Sequence, residues 1–363
     1  MQTHETGSFT VEVLDPLTDT EKWLHRWQHS GREPFAHPSF CRHFAGSGER
    51  AAGLVVESEL GFALIPLIIR RVHTGNSGQD LYDATSPYGY GGPFLSGALA
   101  PGAALDGLED WAARQGLCSV FLRLSLGLDL MPGTRTGRSR VVRSADNVVV
   151  DLRRTEAQLW DTYDRKVRKN VRKAVREGCS VRRDERLEDV GSFLDVYWST
   201  MQRRGAAQWY HFDKRFFDSF LETMAGCYSV FSVVDQGGRV VSVELVLESD
   251  RYLYSFLGGT LADAFPLAPN DLLKHEVIRH GRRTGREGFV LGGGYQPGDG
   301  IFRYKRAFAP DGVRGFLTAR IIGDAERYSQ LVPGPERLPP HMSHADFFPA
   351  YRRPGLRPAP AAL

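Results

Sequence analysis

A chain of 363 residues normally divides into two domains, and 42% hydrophobic with 25% charged residues is ordinary globular composition. A formal net charge of +3 gives no global basic field, so any nucleic-acid contact must come from a local patch. No apolar run approaches the ~20 residues that cross a bilayer, and the polar start Met1-Gln2-Thr3-His4-Glu5 does not read as a signal peptide. In chain order, the first half predicts a strand over Thr10–Leu14, a helix over Thr20–His29, and a short helix over Ser39–Phe44 behind Pro38. Ala51–Glu57 and Leu60–Arg70 read as a hairpin, followed by a strand at Leu81–Ala84 and a Gly/Pro-rich loop. A helix over Ala104–Gln115 and a strand over Ser119–Leu124 come next, while Gly127–Ala145 lacks periodicity and reads as a loop or linker.

The second half predicts the same order. A strand over Asn147–Leu152 precedes one long helix from Thr155, a ready N-cap, to Glu177, with Gly178 ending it. Helices over Leu187–Arg203 and Asp213–Ala225 lead to strands Tyr228–Val234, Arg239–Glu248 and Arg251–Leu257. A helix over Asn270–Arg283 and a strand over Gly288–Leu291 complete the unit. Two α/β units of order β-α-α-β-β-β-α-β follow, spanning 1–145 and 146–330, each with helices on a mixed sheet. From Leu331 on, eight prolines in 33 residues predict an extended surface tail, 331–363. Four widely spaced cysteines without a Cys-x-x-Cys pair read as reduced thiols in a cytoplasmic protein. His25/His29 and His341/His344 lack a third ligand nearby, so no metal is expected.

Three segments carry candidate chemistry. Gly292-Gly293-Gly294 follows a buried strand end and precedes Gly298-Asp299-Gly300 and the basic aromatic stretch Phe302 to Phe308. Glycines at a strand mouth, followed by a fixed cation at Lys305, suit a site for an anionic or charge-developing group. The alternative is a tight turn into a surface helix with a solvated lysine. The second segment is a helix with Arg165, Lys166, Arg168, Lys169, Arg172, Lys173 and Arg176, seven cations in twelve positions. Like charges at i, i+4 repel, so this ridge predicts a phosphate-bearing partner rather than a solvated face. The third is the loop Asp83 to Pro93, where Tyr88 and Tyr90 alternate with Gly89, Gly91 and Gly92. It reads as ligand-lining, with Asp83 the one acid poised as a base; the alternative is an ordered connection covering the core edge. No Gly-rich pyrophosphate turn lies between Leu257 and Asn270, and no phosphate loop or dinucleotide fingerprint occurs, so CoA, ATP and NAD are not expected.

The helix from Lys166 to Gly178 resembles the opening helix of the second domain in the FemABX family. So do Pro269-Asn270-Asp271-Leu272-Leu273, Leu291 to Gly294, and Tyr304-Lys305 followed by Phe308. Pro87 to Pro93 is similar to the first-domain loop of bacterial relatives, and Phe348 to Arg352 to their C-terminal end. Two departures stand out: Ser125-Leu126 replaces an Asp-Pro pair common in the cross-bridge enzymes, and the coiled-coil arm of some members is missing.

The resemblance implies an α/β (α+β) fold of two tandem GNAT-like, acyl-CoA N-acyltransferase-type domains. It implies transfer of an amino acid from aminoacyl-tRNA to the amine of a peptidoglycan precursor or a peptide or antibiotic-type small molecule, with no cofactor. Lys305, Tyr304 and Asp83 are then the catalytic candidates, with Tyr304 stacking on the terminal adenine or packing beneath it. Tyr88, Tyr90, Gly91 and Gly92 would bind the acceptor. Arg165, Arg168, Lys169, Arg172, Asn270, Gly292, Gly293 and Gly294 would hold tRNA or phosphate. An acyl-CoA-dependent N-acyltransferase is the alternative, and a non-catalytic RNA-binding module a third reading.

Overall fold

A computed structural model describes residues 4–6, 9–72, 80–206, 210–332 and 347–353. The pair His341/His344 and most of the proline-rich segment after 332 lie outside the described residues. The chain forms two units: residues 1–144 with 316–363, and residues 145–315.

The first unit runs β1 (His4–Thr6), β2 (Phe9–Leu14), α1 (Thr20–His29), α2 (Pro38–His43), β3 (Arg50–Ser58), β4 (Gly61–Val72), β5 (Leu81–Thr85), β6 (Phe94–Gly97), α3 (Pro101–Arg114), β7 (Ser119–Arg123) and β8 (Arg135–Thr136). β9 (Ser139–Asp151) begins in this unit and continues into the second. The hairpin expected around residue 59 is β3–β4, in register from Arg50↔Ile69 to Ser58↔Gly61. Its strands are apolar on both faces because helices cover the sheet; Leu54, Ile65, Leu105, Leu108 and Trp111 are shared core. Strands β1-β2-β3-β4-β5-β7 pair in that order, with β6 on β4, and among the described residues only β5–β7 is parallel.

Two expectations change here. The stretch 127–145, read as a linker, contains the hairpin β8–β9. It lacks periodicity because a distant carboxylate organises it: Glu109 on α3 accepts from Arg138 N at 2.5 Å and Ser139 N at 2.9 Å, and Val141 is buried. The second change lies near residue 330. β15 (Val313–Ile322) pairs antiparallel with β7 from Thr318↔Arg123 to Ile322↔Ser119, so residues 316–330 belong with the first unit. That unit also holds residues 347–353, where Ala350 is buried.

The second unit runs from the end of β9 through α4 (Glu156–Thr162), α5 (Arg165–Arg176), β10 (Ser180–Asp184), α6 (Val190–Arg203), α7 (Lys214–Thr223), β11 (Tyr228–Val234), β12 (Val240–Glu248), β13 (Tyr252–Thr260), α8 (Pro269–Arg283), β14 (Gly288–Gly292) and α9 (Gly300–Arg306). Strands β9-β14-β13-β12-β11-β10 form its sheet, and among the described residues only β13–β14 is parallel. Its core gathers Val150, Tyr163, Val171, Leu253, Ile278 and Phe289.

The single helix expected over 155–177 is two. Thr155 caps α4 reciprocally with Gln158, but Tyr163 is extended (φ −63, ψ 140) and breaks the run. Arg168 stabilises the break by donating to the carbonyls of Asp161 at 2.9 Å and Tyr163 at 2.7 Å, orphaned at the end of α4.

Candidate active site

The parallel pair of the second unit parts early. Tyr252↔Gly288, Leu253↔Phe289 and Tyr254↔Val290 are in register, yet β13 continues to Thr260. The register against β12 shifts at this point, from Val246↔Ser255 to Leu245↔Leu257, so Phe256 is the extra residue of a bulge. A bulge bends and twists its strand. Beyond it lies a cavity of about 670 Å³, lined by Ser255 and Gly258 of β13, the start of α8, and Tyr304 and Lys305 of α9.

Lys305 reaches this wall through a chain of local constraints. Gly292 ends β14 at φ +77, a conformation residues with a β-carbon resist. Asp299 then ties the next turn to α9: its Oδ2 accepts from Tyr295 N at 2.7 Å and its Oδ1 caps the helix at Phe302 N, also 2.7 Å. The Lys305 ammonium donates to the Gly293 carbonyl at 2.7 Å. Burial, and secondarily the neighbouring Lys274 cation, lowers its pKa to about 8. Gly292, Gly293 and Gly294, expected to hold phosphate, stand behind Lys305 and outside the cavity lining. Their loop positions the lysine, and the amides of Tyr295 and Gln296 are already taken by Asp299.

Tyr304 lines the cavity from below. Its ring packs edge-on against Phe308 at 5.4 Å, and burial, followed by the Asp271 charge, pushes its hydroxyl pKa upward. Its ring is therefore part of the packed wall. Asn270, in the first turn of α8, lines the same cavity. That helix starts after Ala268, in the left-handed region at φ 55, with Pro269 at its first position and no side-chain cap.

Sequence reasoning missed three charged residues here. Lys274 is buried, paired with Glu244 of β12, and donates to Ser255 Oγ at 2.8 Å. Asp271 is also buried; desolvation raises its pKa to about 6, opposed by Asn170 and by the charge of Lys166. Asp271 and Lys274 at i, i+3 on an otherwise apolar face, and Glu244 amid Val and Leu, were the available signals.

The basic helix divides by role. Arg165 and Lys169 are exposed, with no carboxylate in ion-pair range among the described residues. Arg172 is exposed but lies over the Trp160 ring at 5.2 Å. Arg168 is spent on the α4 carbonyls, so its expected phosphate contact gives way to a structural one.

The first-unit candidates are packed. Asp83 is fully buried and receives Arg70 Nε at 2.9 Å, the Tyr351 hydroxyl at 2.9 Å and both Arg352 donor groups. A carboxylate neutralised by two guanidiniums is a structural anchor rather than the expected base. Tyr90 is buried between Phe35 and Phe316, at 5.4 and 5.6 Å. Tyr88 is half-buried and stacks on Phe44 at 5.8 Å. A β-carbon on Gly91 would stand 2.0 Å from Ser86 Cβ, so close packing itself demands glycine there. Gly92 adopts φ +90 before a cis Pro93.

Two strands part beside a helix start, with a half-buried lysine at the gap. Residues 163–306 match the acetyltransferase (GNAT) domain family. In structure the chain is similar to FemX, with TM-score 0.63 at 14% identity, covering 88% of this chain and 99% of that one. It is also similar to the C-terminal domain of an Agrobacterium fabrum protein assigned as a lysylphosphatidylglycerol synthetase, with TM-score 0.55 at 15% identity, covering 85% and 94%. No curated protein matches the chain in sequence. The fold is thus the mixed α/β, GNAT type, and the FemABX resemblance holds at the level of the fold. Among the described residues, no helix is long and apolar enough to cross a membrane.

Proposed function

We propose that this protein is an aminoacyltransferase: it moves an amino acid from aminoacyl-tRNA to the amine of a peptidoglycan precursor or a peptide or antibiotic-type small molecule, without a cofactor. The observation that carries the reading is Lys305, a half-buried cation with no ion-pair partner among the described residues, held at the wall of the cavity by the Gly293 carbonyl. An aminoacyl ester is already activated, so the site must position the amine, take its proton and stabilise the oxyanion. In this reading the amine nitrogen attacks the ester carbonyl and Lys305 stabilises the tetrahedral oxygen. The C–N bond forms as the ribose C–O bond breaks. Asp271, with a pKa near 6, accepts the ammonium proton and returns it to the departing ribose oxygen. The likeness to FemX and the exposed cations of α5 support a tRNA donor.

One observation favours a second reading, an acyl-CoA-dependent N-acyltransferase. The uncapped start of α8 lines the cavity, and a free helix N-terminus favours anions such as a pyrophosphate. Transfer of labelled amino acids from a pool of charged tRNAs to candidate amines, with and without ribonuclease, decides between them. Ribonuclease should abolish turnover and acetyl-CoA should not support it; full activity with an acyl-CoA after ribonuclease would reverse the choice.

A further inference from the structure

Tyr304, expected to stack on a terminal base, has its ring against Phe308 and its hydroxyl buried. A different aromatic stands at the cavity. Phe265, in the short 3-10 turn Ala262–Leu267 before α8, is 52% exposed although it lines the same cavity as Lys305. Leaving so much of a phenyl ring in water forgoes stabilisation that burial would supply. One of its faces is already occupied by the Arg203 guanidinium, 4.9 Å from the ring centroid. Arg203 and Arg204, at the end of α6, both line the cavity and both are exposed. Among the described residues neither has a carboxylate in ion-pair range, and partial burial, followed by the neighbouring Arg204 charge, lowers the Arg203 pKa.

A further cation on α5 acts on the cavity. Asn170 of α5 lines the cavity, and Lys166, one turn before it, acts on Asp271 inside. Two uncompensated cations beside a half-free aromatic face form a pairing that recognises a flat base carrying phosphate. Of the acids lining the cavity, Glu244 and Asp271 are buried and Asp299 is engaged by the amides of Tyr295 and Phe302, while Asp263, beside Phe265, is paired with Arg239.

We infer that Phe265, Arg203 and Arg204 form a nucleotide platform at the cavity mouth, stacking a terminal adenosine on the free phenyl face and binding its phosphate with the two guanidiniums. Building on the donor reading above, this assigns the platform to the 3′-terminal adenosine of tRNA. Coenzyme A carries the same adenosine phosphate chemistry, so the test includes both.

Fluorescence anisotropy would compare an uncharged minihelix RNA ending in CCA with one whose last residue is abasic. The wild-type protein should prefer the intact end by roughly 5- to 150-fold, the span of one base stacked on an aromatic ring. Phe265→Leu, which keeps apolar volume without a flat face, should erase that preference, and Phe265→Trp should retain it. Arg203→Gln with Arg204→Gln should weaken both RNAs and flatten their salt dependence. Thermal unfolding of each variant checks its fold. Absence of a terminal-base preference in the wild-type protein, with coenzyme A affinity unmoved by Phe265→Leu, would overturn the platform, even if charged tRNA supports turnover. Coenzyme A affinity that falls in Phe265→Leu, with RNA binding indifferent to it, would keep the platform and remove the tRNA donor. The two failures are therefore distinguishable.

Discussion

Among the described residues each unit has one parallel strand pair, and the two pairs end differently. In the first unit β5–β7 is in register only at Ala84↔Val120 and Thr85↔Phe121, but the loop that follows closes the gap. Ser86 N donates to Phe121 O at 2.9 Å, Gly91 N to Arg123 O at 2.6 Å, and Ser86 Oγ accepts from Arg123 N at 3.0 Å. In the second unit β13 bulges at Phe256 and leaves β14 at Val290, and a cavity opens there. The same topology therefore makes a sealed edge or a site, according to whether the chain returns to satisfy the freed backbone. A glycine-rich loop marks both, which is why both read as candidate sites in the sequence.

The largest effect that tests this contrast is at Lys305. Lys305→Ala should lower kcat by roughly 10²–10³ with little change in KM or melting temperature, as removal of one oxyanion donor does. A normal kcat would reduce the second unit to another sealed edge. Gly91→Ala tests the opposite side. With a β-carbon 2.0 Å from Ser86 Cβ, it should cost about 1–3 kcal/mol in denaturant unfolding and leave the acceptor KM of the surviving enzyme unchanged. Unchanged stability with a raised KM would make the first loop ligand-lining after all.

Charge reversal of Arg165 and Lys169 should weaken RNA binding and reduce the slope of log affinity against log salt by roughly 0.7–0.9 per cation lost. Reversal of Arg168 should instead destabilise the α4–α5 break. The mildest signature is in pH. Activity needs Asp271 ionised, above about pH 6, and Lys305 protonated, below about pH 8, so kcat/KM should be bell-shaped between them. Stability runs otherwise: the raised Asp271 pKa loses stability as pH rises from 3.8 to about 6, while the lowered Lys305 pKa gains it from about 8 to 10.5. Asp271→Asn should remove the acid limb of the rate profile.

Much of this architecture was legible in periodicity. The β3–β4 hairpin, α8 and β14 appear where apolar runs and turn residues put them, because each buries a face set by local spacing. The 127–145 hairpin was not legible, since Glu109, thirty residues away, supplies its order. Nor was the break at Tyr163, which depends on where one arginine finds free carbonyls. At the site, Lys305 stood out because glycines and an aspartate announce its turn. Glu244, Asp271 and Lys274 are single polar letters within apolar elements, and only the divergence of two strands shows that they face one cavity. Asp83 misled for the converse reason. Its partners Tyr351 and Arg352 lie 268 and 269 residues further along the chain.

That separation orders events during synthesis. The first unit needs residues 316–322 for its sheet and Arg352 for its buried carboxylate, so the unit begun first cannot be finished until synthesis has passed residue 352. The second unit is contiguous, 145–315, and is complete in sequence while its neighbour still lacks a strand. As the chain grows from its N-terminus, the cavity-bearing unit can fold as nascent polypeptide ahead of the unit that precedes it. A chain halted at residue 330 would carry the whole cavity, yet leave Asp83 without Arg352 in the unit synthesised first.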